Sequence, residues 1–109
     1  MAKRGLYIVM ATIAPDKEEA FNKWYNEVHI PLLFKFKGMK RVTRYKLVGG
    51  ENCPAYMAIY EFDSIKDVEA NMKSPEFNAA IEEMQQTWKQ GGFDVKWAGN
   101  YEPIKTWER

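Results

Sequence analysis

The segment "FNKWYNEVHIPLL" (residues 21–33) contains the single histidine of the 109-residue chain, and this histidine is the best candidate for acid–base chemistry. His29 follows Tyr25 by four residues, so the two side chains share one face of a helix. An imidazole with a pKa of about 6.5 can accept or donate a proton at neutral pH. Tyr25 could orient the imidazole or bind a substrate oxygen. The alternative is that His29 is a cation that caps the last carbonyls of its helix.

Aromatic and cationic side chains elsewhere in the chain are candidates for substrate binding. A buried tyrosine hydroxyl needs a hydrogen-bond partner, which a ligand can supply, so Tyr7, Tyr45 and Tyr56 are candidates, although each can also be structural. Arg41 shares a strand face with Tyr45 and could bind a carboxylate or an enolate. Its alternative role is that of a solvated edge-strand residue. Trp24 is a candidate pocket wall, but its helical spacing with other aromatic residues is also typical of a core stripe.

The composition argues against several other kinds of site. Cys53 is the only cysteine, and one cysteine with one histidine cannot supply the ligands of a zinc site within the chain. Sixteen basic and fifteen acidic residues give a net charge of +1, without the clustered basic stripe of nucleic-acid-binding proteins. The glycine pairs at 49–50 and 91–92 lack the strand–loop–helix context of a phosphate-binding loop. We therefore expect no metal, no cofactor and no nucleic-acid partner.

The apolar runs of the chain are too short to cross a membrane. None approaches the roughly 18 apolar residues of a membrane span. The start, "MAKRGLYIVMATIAP", has the basic and apolar order of a signal peptide, but the same apolar run is needed as the first strand. We expect a cytoplasmic protein without a membrane partner.

The periodicity of apolar residues predicts a single α+β domain over residues 1–109 with the order βαββαβ, which is the ferredoxin-like arrangement. Pro31 lacks a backbone N–H and disfavours helical geometry at the preceding residue, so the first helix is expected to kink or stop near His29. Ser64 and Ser74 are expected to begin the two later helical segments. The predicted strands are residues 5–13, 39–49, 55–62 and 91–101.

In the ferredoxin-like sheet the strand order is 4-1-3-2, and the composition of the strands fits it. The first and third strands are apolar on both faces, as central strands buried on both sides would be. Two helices cover only one face, so the other face needs a partner. A second copy packed sheet against sheet predicts a homodimer, with Ile104 and Trp107 of the tail as clasps across the interface.

Several of these segments resemble the EthD-like members of the dimeric α/β-barrel superfamily. The most specific is the helix pattern W-Y-x-x-x-H-x-P-L, which begins at Trp24 and ends at Leu32. The likeness extends from residue 5 to about residue 100 through "RVTRYKLV", "YMAIYEF" and "SPEF". Lys37 stands where relatives often have proline. The resemblance implies a pocket between the helices and the concave sheet face, and a small hydrophobic or aromatic metabolite as ligand.

The resemblance leaves the reaction open, because the superfamily includes isomerases, polyketide cyclases, cofactor-free monooxygenases, haem-degrading enzymes and proteins tied to xenobiotic degradation. One hypothesis is a cofactor-independent lyase, isomerase or cyclase in which His29 transfers a proton next to a carbonyl of an aromatic or polyketide-like substrate. Tyr25, Tyr45 or Arg41 would then stabilise the enolate oxygen. The alternatives are a non-catalytic protein that binds or delivers a hydrophobic metabolite, and a cofactor-free or haem-type monooxygenase.

Overall fold

A computed structural model describes residues 4–109, and the predicted ferredoxin-like α+β fold is confirmed in it. Four antiparallel strands form one sheet, and the helical segments connect β1 to β2 and β3 to β4. Within the described part of the chain, no helix is both long and apolar enough to cross a membrane. The elements are β1 (Gly5–Ile13), a 3-10 turn (Pro15–Lys17), α1 (Glu18–Trp24), a π-helical segment (Tyr25–His29), α2 (Ile30–Leu33), β2 (Met39–Lys46), β3 (Tyr56–Phe62), α3 (Ile65–Met72), α4 (Pro75–Thr87) and β4 (Phe93–Tyr101).

The strand order is β2-β3-β1-β4, so the predicted order is confirmed and the two most apolar strands are central. In the antiparallel pairing of β1 with β3, Tyr7 lies opposite Tyr60 and Val9 lies opposite Ala58. β2 ends at Lys46 and β4 begins at Phe93, which makes both strands shorter than predicted. Gly91 and Gly92 adopt positive φ angles of 89° and 98°, a turn conformation that delays the start of β4.

Alternation along the strands gives the sheet one face toward the helices and one open face. On β3 every second residue is buried, beginning with Tyr56, and these residues meet the helices. Among residues 4–109 no helix or strand covers the open face, and its apolar side chains are partly exposed. Its members are Leu6, Ile8 and Met10 of β1, Thr43 and Tyr45 of β2, Met57 and Ile59 of β3, and Trp97 and Tyr101 of β4.

Of the two outcomes expected near His29, a kink or a stop, the stop does not occur: the helix changes its pitch there and continues as α2. The helix widens over Tyr25–His29 into a π-helical turn, in which the N–H of Ile30 donates to the carbonyl of Tyr25, five residues back. Pro31 follows as the second residue of α2, directly after this wide turn. The helix thus accommodates the proline by a local change of pitch and ends at Leu33.

The core lies between the helices and the helix-facing side of the sheet. Phe21 and Val68 are fully buried there, and Tyr60 and Phe62 are each 1% exposed. Ser64 and Ser74 accept N-cap hydrogen bonds from the N–H groups three residues later, as their positions predicted. This packing fixes the first helix against β1 and β3, which is what positions the candidate site.

Candidate functional site

His29 lies on the buried side of the first helix, as the last residue of the π-helical turn, with 5% of its surface exposed. Its ring stacks on Trp24 with a centroid distance of 4.7 Å and an interplanar angle of 25°. Tyr25 meets the same ring at a steep angle, with centroids 4.9 Å apart. The ring is therefore held by two aromatic neighbours from its own helix.

The capping alternative for His29 is not supported, because the imidazole is neutral and its Nδ1 makes no hydrogen bond. Burial lowers the pKa of His29 to about 4, and the carboxylate of Glu83 only partly opposes that shift. Glu83 itself accepts a hydrogen bond of 2.8 Å from Trp24 Nε1 and another from Thr87. Nδ1 of His29 is buried without a partner. Such an atom is an unused hydrogen-bonding group inside the protein, which a ligand can engage.

Two tyrosine hydroxyls form a buried pair beside the histidine. The hydroxyls of Tyr25 and Tyr60 are 2.6 Å apart, and either can donate. Burial raises the pKa of Tyr25 to about 12 and raises that of Tyr60 well above its ordinary value. Tyr7 packs its ring on Tyr60 with centroids 5.5 Å apart, and burial raises its pKa as well. All three phenols therefore remain protonated hydrogen-bond donors at physiological pH.

These groups line a common cavity of about 50 Å³ between α4, β4 and the central strands. The volume is enough for a few water molecules and well below the several hundred Å³ of a pocket that encloses a whole drug-sized ligand. Val95, which is 41% exposed, marks its outer side. The cavity is lined by Tyr7, Val9, Tyr25, His29, Leu33, Tyr60, Phe77, Ile81, Met84, Phe93 and Val95.

A second polar group lies on the other side of the Tyr25 ring. The guanidinium of Arg44, on β2, donates to the side-chain oxygens of Asn26 at 2.7 Å and Asn22 at 2.8 Å. Desolvation lowers the pKa of Arg44, and no carboxylate within the described residues pairs with it. Its Cζ is 4.5 Å from the ring centre of Tyr25, 5.5 Å from that of Phe21 and 5.7 Å from that of Tyr56.

The structure brings together four of the seven residues that the sequence nominated, namely Tyr7, Trp24, Tyr25 and His29. Tyr56 lies on the same sheet face but belongs to the Arg44 cluster, where its hydroxyl donates to Glu18 at 2.6 Å. Arg41 and Tyr45 lie on the open face, so they do not reach the His29 cavity. Arg41 is exposed and lies 3.8 Å from Glu61.

A β-bulge explains why the arginine near the helices is Arg44. The pairing of β2 with β3 shifts between Met39 and Arg41, because β2 has one extra residue there. The residues after this bulge therefore alternate in the opposite sense. Met39 is buried, and without the bulge Arg41 and Tyr45 would share its face. With it, Val42 and Arg44 face the helices. Tyr60 was also missed as a site residue, although its spacing of four residues from Tyr56 indicates the same strand face.

We predict that the Tyr25–Tyr60 hydroxyl pair is energetically coupled. Tyr60→Phe should lower the free energy of unfolding by about 1–2 kcal/mol, because it leaves the Tyr25 hydroxyl without its buried partner. The double variant Tyr25→Phe/Tyr60→Phe should lose less than the sum of the two single variants. Urea denaturation of the four proteins measures this coupling. Strict additivity would show that the two hydroxyls do not interact.

Comparison with solved structures supports the same fold. An EthD family protein from Bacillus halodurans superposes with a TM-score of 0.69 at 17% identity, covering 94% of this chain and 99% of that one. A candidate monooxygenase from Shewanella loihica gives a TM-score of 0.63 at 19% identity, covering 97% and 99%. A dimeric protein of unknown function with a ferredoxin-like fold, from Bacteroides fragilis, gives 0.62 at 15% identity, covering 91% and 95%.

At these identities the superpositions establish the fold, and the resemblance to EthD-like proteins is confirmed at that level. No curated protein matches the sequence. Residues 4–93 match a family described as a domain of unknown function, DUF4286, and this stretch includes every residue named in the His29 cavity except Val95. The chain therefore belongs to the DUF4286 family.

Proposed function

We propose that the protein is a small cofactor-independent enzyme of catabolic or secondary metabolism, of the lyase, isomerase or cyclase type. His29 transfers a proton at a carbon next to a carbonyl of the substrate. The observation that carries this proposal is the neutral, buried imidazole on a cavity wall, with Nδ1 unpartnered and two tyrosine hydroxyls on the same wall. Enolisation needs a base, a hydroxyl that donates a hydrogen bond to the substrate oxygen, and a cavity with little water.

Tyr25 is the residue proposed to bind the substrate oxygen. When Tyr60 donates to the Tyr25 oxygen, the proton of Tyr25 is free to donate to a ligand in the cavity. Negative charge that develops on a carbonyl oxygen during proton removal would be stabilised by this donor. Tyr7 and Trp24 supply aromatic walls around the reacting group.

The low pKa of His29 is compatible with this role because the enolate changes its surroundings. In the empty cavity, burial holds the pKa at about 4, which makes the imidazole a weak base. An enolate beside the ring places a negative charge next to the imidazolium, and an opposite charge nearby favours the charged form. Glu83 acts in the same direction from α4.

The size of the cavity suggests how much of the substrate enters. About 50 Å³ accommodates the carbonyl end, and the aromatic or apolar remainder would lie at the side marked by Val95. Met84 lines the cavity, and a methionine side chain can change rotamer to enlarge it.

The test is solvent deuterium incorporation, which reports proton transfer without knowledge of the natural product. Aromatic methyl ketones and short β-diketones are incubated with the protein in D₂O, and uptake of deuterium next to the carbonyl is followed by mass spectrometry. We expect uptake above the buffer rate with the wild-type protein and a loss of at least 100-fold in His29→Gln, in line with the usual contribution of a general base.

Two controls decide what that result means. Arg41→Met alters the open face and should leave the rate unchanged. Ligand affinity, measured by calorimetry, should change little in His29→Gln, because the base is needed for turnover rather than for holding the apolar part. Equal uptake in wild-type and His29→Gln would exclude His29 as the base.

A second candidate function is binding or delivery of a hydrophobic metabolite without turnover. The weak basicity of His29 favours it. Tight binding of a ketone without deuterium uptake in the wild-type protein would support it. A cofactor-free monooxygenase, suggested by the description of the Shewanella loihica neighbour, would instead consume oxygen with a substrate that is itself a reductant. A haem-type monooxygenase fits the structure poorly, because the cavity of about 50 Å³ beside His29 is too small for a porphyrin.

We also propose that two copies pair through the open sheet face. Ile8, Met10, Met57 and Ile59 form its centre, and half-buried apolar side chains of this kind are typical of an interface. The Bacteroides fragilis neighbour is described as dimeric. Sedimentation equilibrium of the wild-type chain should give twice the 12.8 kDa of one chain.

A further inference from the structure

The tail after β4 presents two large apolar side chains that are mostly exposed among residues 4–109. Ile104 is 96% exposed and Trp107 is 78% exposed. The ammonium of Lys105 lies 5.1 Å from the centre of the indole ring of Trp107. Both side chains are separated from the end of β4, Tyr101, by only a few residues of irregular backbone.

An apolar cleft of about 320 Å³ lies on the open sheet face, at the ends of β2 and β3. The loop that follows β2 forms one wall, and in it Val48 is fully exposed and Leu47 is 38% exposed. Lys46 is the charged residue of the lining. The principal apolar walls are Met10, Tyr45, Leu47, Pro54 and Met57, with the thiol of Cys53 beside them.

The tail of the same chain is badly placed to fill this cleft. Tyr101 lies opposite Leu6, four residues along β1 from Met10, and β4 is two strands away from β3. From Tyr101 to the cleft at Met57 is therefore roughly 16 Å, taking about 3.3 Å per residue and about 4.8 Å per strand. Ile104, three residues beyond Tyr101, reaches about 10 Å at most, and Trp107, six residues beyond, spans about 20 Å only as a fully extended chain. β4 also runs away from the cleft, so the tail would have to reverse its direction.

We propose that the tail of one copy docks into this cleft of a second copy, with Trp107 as the main anchor. The inference rests on the proposed sheet-to-sheet dimer, which places two open faces against each other. The occupant fits the cleft chemically, because an indole and an isoleucine meet methionine, leucine and proline side chains. In this arrangement Glu108, which follows Trp107 directly, pairs with Lys46 of the cleft lining, and the flanking Lys105 and Arg109 stay in solvent.

Cys53 makes the docking testable by a disulfide between chains. It is the only cysteine, it is exposed, and it lines the cleft. The variant Cys53→Ser/Thr106→Cys carries its thiol on the tail instead, next to an intact Trp107. Mixed with wild-type chain under mild oxidation, it should form a covalent dimer whose linking peptide joins positions 53 and 106. The matched control, Cys53→Ser/Lys89→Cys, has an exposed thiol at the end of α4 and should form at least 10-fold less mixed dimer.

The possible results distinguish the tail-docking proposal from the proposal of a sheet-to-sheet dimer. A sedimentation dimer without the 53–106 link overturns the tail proposal and leaves the sheet-to-sheet dimer in place. A monomer at all concentrations overturns both. The single variant Thr106→Cys, which keeps Cys53, identifies the third case: an internal disulfide in a monomeric band means that the tail folds onto its own chain. As a second measurement, Ile104→Ser/Trp107→Ser should weaken dimerisation at least 10-fold without changing the circular dichroism of the fold.

Discussion

Acidification from pH 6.5 to pH 4 is expected to cost the folded protein about 3 kcal/mol of unfolding free energy through His29 alone. The buried imidazole has a pKa of about 4 in the folded chain, against 6.5 as its ordinary value. Between these two pH values the unfolded chain binds a proton at His29 and the folded chain does not. The contribution of His29 is therefore complete above pH 6.5 and is lost as the pH falls toward 4.

The measurement is urea denaturation of the wild-type protein and of His29→Gln across that pH range. Aspartates and glutamates titrate in both proteins, so the difference between the two curves isolates the imidazole. Because the chain has one histidine, the C–H signals of its ring also give the pKa directly by NMR. A ring that titrates near 6.5, with parallel stability curves, would mean that the imidazole is hydrated in solution.

The second large effect is expected at Arg44. Arg44→Met should lower the free energy of unfolding by about 2–3 kcal/mol, because it removes a desolvated cation–π contact with Tyr25 and two charged hydrogen bonds to asparagines. Arg41→Met is the matched control on the same strand. Its guanidinium is exposed and lies 3.8 Å from Glu61, so the change should stay within about 0.5 kcal/mol.

Thermal or urea unfolding of the two variants at pH 7 gives the comparison, with Arg44→Lys as a third protein. Lysine keeps the positive charge but cannot donate to Asn22 and Asn26 in the same planar arrangement, so it should recover only part of the loss. Equal losses for Arg41→Met and Arg44→Met would contradict the assignment of Arg44 to the buried side.

The contrast between these arginines shows how far the sequence could predict the site. The topology was predicted from the order of the elements, βαββαβ, and the composition supported it, because central strands are apolar on both faces and edge strands are not. Strand parity correctly groups Arg41 with Tyr45, but it does not tell which parity meets the helices. The bulge between Met39 and Arg41 reverses the parity set by the buried Met39, and no residue type in "MKRVTRYK" marks it.

The burial of His29 could not be predicted from the local sequence pattern either. Its position on the face of Tyr25 was predicted from a spacing of four residues. Its burial depends on Trp24, which stacks on the ring from the same helix, and on α4, whose residues are distant in sequence and cover it. Pro31 predicted a kink or a stop in the helix, because a proline removes one N–H wherever it stands. Whether the backbone stops or changes pitch is decided by the packing of the residues around it.

That change of pitch means that the turn carrying Tyr25 and His29 contains one residue more than an ordinary α-helical turn. A chain without this extra residue, for example one that lacks the exposed Val28, could keep α1 and α2 in place with uninterrupted α-helical bonding. It would lack the wide turn that carries Tyr25 and His29 on the cavity wall. The length of this one turn is therefore as much a part of the site as the two side chains on it.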